Sequence, residues 1–176
     1  MKVYNFSPGP AKLDSSIISK SQEAMYNFQN TGLSILEIGH RSKEFEKLMN
    51  SLQENIRNIF NVPTNYFTLF LQGGATFQNT FIANNFDMRD KDLGCLVTGT
   101  WGKNTFDDFS KIRETKLIEL SQDEIENFVE SGEDLKNVDY LHLTSNETIN
   151  GVQLREFNKI NHDSLLIDMS SDIGSY

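Results

Sequence analysis

Short apolar runs alternate with helix patterns along most of the chain, and this alternation constrains the possible folds more than any other feature. The clearest helix follows Ser42, where apolar residues recur at spacings of three and four as far as Phe60. The runs that are typical of strands cover residues 66–71, 95–98, 116–119, 140–144 and 165–168. This order predicts an α/β fold with three layers, α/β/α, around a mostly parallel sheet.

Three further helices are predicted where start signals precede apolar spacing. Asp14 and Ser15 can cap one helix, which Gly32 ends. A second follows the glycine pair 73–74, and the capping-box pattern of residues 121–124 opens a third. The proline-rich stretch before Asp14 predicts an extended arm over residues 1–14.

Composition excludes several classes of partner. A net charge of −9 on 176 residues disfavours nucleic acids and anionic membranes, because both would repel this surface. A small anionic substrate in a locally basic pocket remains compatible with that charge. Cys95 is the only cysteine, so no internal disulfide forms, which is typical of a reducing cytosol. Since the sequence shows no signal peptide and no membrane-length apolar stretch, we predict a soluble cytoplasmic protein, and we predict no metal site.

Ligands of such sheets bind beyond the carboxyl ends of the strands, so the segments that follow the strands are the candidate site. The glycine pair 73–74 opens a helix whose N–H groups suit an anion, with Thr76 adding a hydroxyl. The same pair also serves an ordinary tight turn. Trp101 follows the next strand, and it could stack on an aromatic ligand or fill the core.

Polar residues also gather after the last two predicted strands. The triplet Asn-Glu-Thr at 146–148 crowds one strand end, although such stretches also form plain turns. Asp168 ends an apolar strand, where a carboxylate needs a cationic ligand nitrogen or an internal arginine. His40 and Arg41 form a cationic corner before a helix, suited to a carboxylate or phosphate, or else simply a solvated helix start.

An anion cradle, a flat stacking surface, a hydroxyl and a buried acid together meet the needs of pyridoxal phosphate (PLP). The phosphate requires helix-start amides, the ring requires a face, and the phenolic oxygen requires a donor. The ring nitrogen requires a carboxylate that keeps it protonated, so that the ring can act as an electron sink. These residues therefore predict a PLP site.

Six motifs, in their order along the chain, resemble the phosphoserine aminotransferases, which are fold-type I PLP enzymes. The motifs cover the chain from Asn5 onward and read NFSPGP, EIGHRSKEF, NVPTNYFTLFLQGGATFQ, GTWG, NETINGV and IDMSSDI. The resemblance implies a cytosolic homodimer of serine biosynthesis. It also implies amino-group transfer from glutamate to 3-phosphohydroxypyruvate, which gives phosphoserine and 2-oxoglutarate.

The resemblance also implies a role for each cofactor-binding residue. Ala75 and Thr76 match the pair that cradles the cofactor phosphate. Trp101 matches the residue that stacks on the ring, and Thr148 matches the partner of the phenolic oxygen. Asp168 matches the acid that holds the protonated ring nitrogen.

The substrate side of the site matches the same family less completely. Arg41, with His40, matches part of the substrate-anion site. Ala75 and Thr76 stand where several members have Gly-Arg, which removes one positive charge for the substrate phosphate. Pro8 stands where some members have serine, so a side-chain contact there is not expected.

The family's Schiff-base lysine comes after the aspartate, and no lysine follows Asp168 in this sequence. We therefore expect an incomplete PLP-binding large domain over residues 15–176, without the small C-terminal domain and inactive alone. One alternative is a non-catalytic remnant or interaction module that retains the fold. Another is an aminotransferase for a different small substrate, although the HRSKEF and NETINGV stretches favour the first assignment.

The family's strand order makes one more prediction. In that order two strands from beyond Tyr176 separate the first strand, residues 66–72, from the strand that ends at Asp168. We therefore expect open apolar strand edges, which promote self-association or a rearrangement that closes the gap.

Overall fold

A parallel sheet organises the second part of the chain in a computed structural model, which describes residues 3–6, 10–85, 91–131 and 137–175. In chain order the strands are β1 (Leu93–Val97), β2 (Thr115–Glu119), β3 (Tyr140–Thr144), β4 (Asn146–Glu147), β5 (Val152–Gln153) and β6 (Leu165–Asp168). Four of them form the parallel sheet in the order β2-β1-β3-β6, and β4 and β5 form an antiparallel hairpin. At its carboxyl end, Thr144 of β3 lies opposite Asp168 of β6.

Helices precede or connect the strands. They are α1 (Ser15–Tyr26), α2 (Lys43–Phe60), α3 (Gly74–Asn85), α4 (Thr100–Ser110) and α5 (Gln122–Ser131). The helix predicted after Ser42 is confirmed: the Ser42 hydroxyl accepts the N–H of Phe45 at 3.2 Å and caps α2. Asn61 ends α2 in the left-handed conformation, with φ of 50°.

The sheet is covered on both faces. Side chains alternate along a strand, so Cys95 and Phe109 pack in a cluster with α3 and α4, whereas Leu96 packs on the opposite face with Phe128 of α5. Cys95, Leu96 and Phe109 are at most 1% exposed. The predicted α/β fold with helices on both sides of a mostly parallel sheet is confirmed.

The prediction of a strand at residues 66–71 is wrong. The segment forms no β-strand, and Phe67 is 90% exposed. The Arg57 guanidinium donates instead to the carbonyl oxygens of Pro63 and Tyr66, at 2.9 and 2.5 Å. An apolar run indicates burial but does not show which element it will pack against. A strand forms only where a second strand satisfies its backbone groups.

The chain divides into two compact units, residues 1–70 and 71–176. The first unit contains α1 and α2, and the second contains every strand and the other three helices. Residues 3–6 and 10–14 form no helix or strand, while residues 1, 2, 7–9 (with Pro8) and 176 lie outside the described residues. The predicted arm and domain boundary stay predictions. Within the described ranges, no helix is long and apolar enough to cross a membrane.

Candidate functional site

The first turn of α4 is capped by a residue from another element. Gly99, the residue before the helix, has no side chain to offer as a cap. Glu147 of β4 supplies the acceptors instead: Oε2 accepts the backbone N–H of Trp101 and Oε1 accepts that of Gly102, both at 2.7 Å. Asn150 adds a third acceptor, because its Oδ1 receives the N–H and the hydroxyl of Thr100 at 3.1 Å. Trp101 therefore lies in the first turn of α4.

The two glycines of the GTWG sequence leave room for this close approach. A Cβ at Gly99 would lie 2.7 Å from Cδ of Glu147, and a Cβ at Gly102 would lie 3.1 Å from Oε1. The φ of Gly99 is −179°, which any residue can adopt, so space and not backbone conformation demands glycine there. The GTWG sequence thus allows the Glu147 carboxylate to reach the helix.

The hairpin turn after Glu147 brings Thr148 to the indole of Trp101. Gly151 has φ of +75° and donates its N–H to the Glu147 carbonyl at 2.8 Å, which closes the turn. The indole Nε1–H of Trp101 donates to Thr148 Oγ1 at 2.8 Å. Trp101 remains 42% exposed, so part of its surface stays accessible. A stacking surface and a hydroxyl are therefore adjacent at the ends of β1 and β4.

Asp168 is half-buried at the carboxyl end of β6, and it has one oxygen in use. Oδ1 accepts the N–H and the hydroxyl of Ser170 at 2.9 and 2.6 Å. No described residue hydrogen-bonds Oδ2, so the internal arginine considered for this carboxylate is not its partner among these residues. The Asp168 carbonyl accepts both the N–H and the hydroxyl of Ser145 at 3.0 Å, which ties β6 to the residue before the hairpin.

His142 lies on the same face of the sheet as Asp168. Thr144 pairs with Asp168, and His142 lies two residues before Thr144, so its side chain points to the same side. It is buried edge-on against Phe109, with ring centroids 5.3 Å apart. Burial lowers the pKa of His142 to about 4, and the nearby Asp168 carboxylate opposes this by raising it. The imidazole is therefore neutral at pH 7. Burial, with a contribution from the charge of Glu147, raises the pKa of Cys95 to about 12, so this thiol is no nucleophile.

Ala75 and Thr76 are exposed in the first turn of α3, where backbone N–H groups have no partner within the helix. Gly73 and Gly74 have φ of 104° and 62°, the left-handed region that favours glycine. The turn therefore requires this pair, and the same turn leaves the N–H groups of the helix start pointing away from the helix body. Both interpretations of the glycine pair fit the observed backbone.

His40 and Arg41 belong to the first unit. They are exposed in the turn between Gly39 and Ser42, where the Ser42 N–H donates to the Gly39 carbonyl at 2.9 Å. Their role in binding a substrate anion stays a prediction. The five residues predicted for the cofactor all belong to the second unit.

An open pocket of about 370 Å³ lies at the carboxyl ends of β1 and β2, beside the first turn of α4. Lys103 lines it, but this ammonium already pairs with Asp107. The pocket lining includes none of the five predicted cofactor residues and no aromatic side chain. Across the described residues, no group of three histidine, cysteine or acidic side chains could hold a metal ion.

Two residues at this site escaped prediction from the sequence. In the sequence, Glu147 belongs to the polar triplet 146–148 and Asn150 to the NETINGV stretch, and neither pattern indicates a helix cap. Both cap a helix that begins more than 45 residues earlier, and no local pattern reports such a contact. Glycines at positions 99 and 102 were the one signal that something approaches this helix closely.

Comparison with known proteins gives a consistent result. The family model described as aminotransferase class-V matches residues 3–176. The phosphoserine aminotransferase of Geobacillus kaustophilus is 38% identical over 176 residues, which are 98% of this chain and 48% of that protein. That of Halalkalibacterium halodurans is 35% identical over 175 residues, with the same shares covered.

A solved structure of the phosphoserine aminotransferase from Bacillus circulans subsp. alkalophilus superposes with a TM-score of 0.85 at 33% identity. The match covers 98% of this chain and 48% of that one. A PLP-bound phosphoserine aminotransferase from Trichomonas vaginalis has a TM-score of 0.79 at 28% identity, covering 96% and 48%. The chain thus spans about half the length of the relatives that it matches.

Proposed function

The chain belongs to the class-V aminotransferase family, and from this premise we propose that residues 71–176 form the PLP-binding side of a phosphoserine aminotransferase. The proposed reaction transfers the amino group of glutamate to 3-phosphohydroxypyruvate. It yields phosphoserine and 2-oxoglutarate, within serine biosynthesis in the cytoplasm and as a homodimer. The names of the similar proteins and the six motifs support this proposal.

Two observations carry the proposal: the contact of Trp101 with Thr148, and the Asp168 Oδ2 at the end of β6, which accepts no hydrogen bond from a described residue. The residues fit PLP on three counts. Oδ2 of Asp168 accepts no hydrogen bond from the part of the chain that the structure describes, and a protonated ring nitrogen requires such an acceptor. Thr148 Oγ1 accepts the hydrogen bond of the indole N–H, so the Thr148 hydroxyl can donate its own hydrogen to a phenolic oxygen. Thr144, opposite Asp168, has a buried Oγ1 without a described partner, a polar atom that a bound group could satisfy.

PLP, when bound, supplies an electron sink for the bond that breaks at the substrate's α-carbon. Asp168 would hold the proton on the ring nitrogen by charge-assisted hydrogen bonding, which favours the protonated ring. Trp101 would cover one ring face and exclude water from it. Thr148 would donate a hydrogen bond to the phenolic oxygen, and the backbone N–H groups of Ala75 and Thr76 would donate hydrogen bonds to the phosphate.

We also propose that the substrate's anionic groups meet His40 and Arg41. Arg41 is suited to this because its planar guanidinium can donate two parallel hydrogen bonds to a carboxylate or phosphate. His40 adds a donor in the same exposed turn. With Thr76 in place of a basic residue, Arg41 would carry more of the phosphate contact than in relatives that have Gly-Arg there.

Titration of the 176-residue chain with PLP tests this function directly, because Trp101 is the only tryptophan and reports on its own site. We expect saturable quenching of Trp101 emission, and about tenfold weaker PLP binding in Asp168→Asn, the cost of one hydrogen bond between charged groups. Asp163→Asn makes the same change at an exposed position and serves as the control. Unsaturable quenching, or equal effects of the two variants, would contradict the proposal.

A further inference from the structure

The buried acid Glu147 makes a set of contacts that the proposed function does not use. Its side chain is fully excluded from solvent, at 0% exposure. No described lysine, arginine or histidine forms a salt bridge with it, and both carboxylate oxygens are instead occupied by backbone N–H groups of α4 at 2.7 Å. A buried carboxylate is normally paired with a cation or a metal. Here a helix start takes that place.

This arrangement fixes the start of α4 in position. Charge-assisted hydrogen bonds from N–H groups are short and directional, and the positive end of the helix dipole adds to them. The two donors belong to consecutive residues, Trp101 and Gly102, so the carboxylate fixes the backbone from which the indole projects. Any displacement of the carboxylate would break two strong bonds at once.

The next residue of the hairpin holds the ring itself. Thr148 accepts the indole N–H at 2.8 Å, so residues 147 and 148 contact the backbone and the side chain of Trp101 in turn. Because Oγ1 of Thr148 accepts the hydrogen bond from the indole, the hydrogen of the Thr148 hydroxyl points away from the indole. The contact with the indole therefore leaves the Thr148 hydroxyl free to donate a hydrogen bond to another group.

We propose that Glu147 is a positioning residue of the PLP site. It sets the plane of the Trp101 ring and, through the indole N–H, the donor direction of the Thr148 hydroxyl toward the phenolic oxygen of PLP. The inference rests on the proposed function for its ligand, although its first consequence, a fixed indole, is measurable without PLP. Glu147 does not itself touch the cofactor.

The alternative is that Glu147 only stabilises the helix end. Asn150 provides a matched control, because it caps the same helix from the same hairpin. Its Oδ1 accepts two hydrogen bonds from Thr100 at 3.1 Å and makes no described bond to Trp101. Asn150→Ala therefore removes capping without releasing the indole.

The experiment compares Glu147→Gln, Asn150→Ala and Thr148→Val with the unchanged chain. Acrylamide quenching of Trp101 measures the freedom of the indole without PLP, PLP titration measures the site, and thermal unfolding measures stability. In Glu147→Gln we expect the acrylamide quenching constant to rise about twofold and PLP to bind about tenfold more weakly, the loss expected for one hydrogen bond to a charged group. In Asn150→Ala we expect a lower melting temperature, with both Trp101 readouts unchanged.

Thr148→Val tests the same chain of contacts at an exposed position, so it remains informative even where Glu147→Gln fails to fold. It removes the acceptor of the indole N–H, and we expect higher acrylamide quenching with weaker PLP binding. Unchanged Trp101 readouts in Thr148→Val, or equal readouts in Glu147→Gln and Asn150→Ala, would overturn the inference. Failure of the unchanged chain to bind PLP would contradict the proposed function, whereas the acrylamide comparison would still decide whether Glu147 fixes the indole.

Discussion

Acid should destabilise this protein through His142, and the direction follows from its burial. The pKa of His142 falls from 6.5 to about 4 in the folded chain, chiefly because burial disfavours the charged imidazole. The unfolded chain therefore binds a proton at pH values where the folded chain does not. Stability is complete above pH 6.5 and declines as the pH falls toward 4, by roughly 3 kcal/mol in total at about 1.4 kcal/mol per pKa unit.

Urea unfolding at pH 7.5 and 4.5, followed by circular dichroism, measures this loss. Other groups also titrate in that range, so His142→Gln, which has no titrating group at 142, provides the reference. We expect the unchanged chain to lose about 2 to 3 kcal/mol more than His142→Gln over this interval. Asp168→Asn should lower the pKa of His142 further, because the Asp168 carboxylate raises it. Equal losses in the unchanged chain and in His142→Gln would refute the reasoning.

Three other predictions concern the whole chain. None of the 11 lysines in these 176 residues lies in a motif like that of the family's Schiff-base lysine, so this polypeptide mixed with phosphoserine, 2-oxoglutarate and PLP should turn over no faster than free PLP, and protein-dependent turnover lost in Asp168→Ala would contradict this. PLP should bind weakly and without a covalent link; borohydride reduction and mass spectrometry would disprove that by finding a stoichiometric adduct on one lysine. Self-association through exposed apolar residues such as Phe67 should appear in light scattering at micromolar concentration and decrease in Phe67→Asp, whereas a monomer would contradict it.

Elements whose signals are local could be predicted from the sequence. The strands at 140–144 and 165–168 have the predicted bounds because each is an apolar run between turn-forming residues. The helix after Ser42 could be predicted in the same way, because its cap and its apolar spacing both lie within one continuous segment. Residues 66–71 look the same by composition, yet they form no strand, because pairing depends on a second strand that composition does not report.

The start of α4 could not be predicted for a related reason. Its cap is Glu147, which lies 46 positions after Trp101 in the sequence, and Gly99 carries no capping side chain. The residues around Trp101 therefore carry no local signal for a helix start. The hairpin of β4 and β5 was missed as well, because strands of two residues have no measurable alternation.

The hydrogen bonds of the two acids show why sequence alone could not separate their roles. Both acids come at or soon after the end of an apolar strand with a hydroxyl close by in sequence: Ser170 lies two residues after Asp168, and Thr148 directly follows Glu147. Glu147 is fully buried, with one backbone donor on each oxygen, so a ligand cannot reach its carboxylate. Asp168 is half-buried, and among the described residues only Oδ1 has partners. An acid that meets a ligand must keep an accessible acceptor, whereas an acid that positions its neighbours can be buried completely among backbone donors, and this distinction depends on contacts between distant parts of the chain.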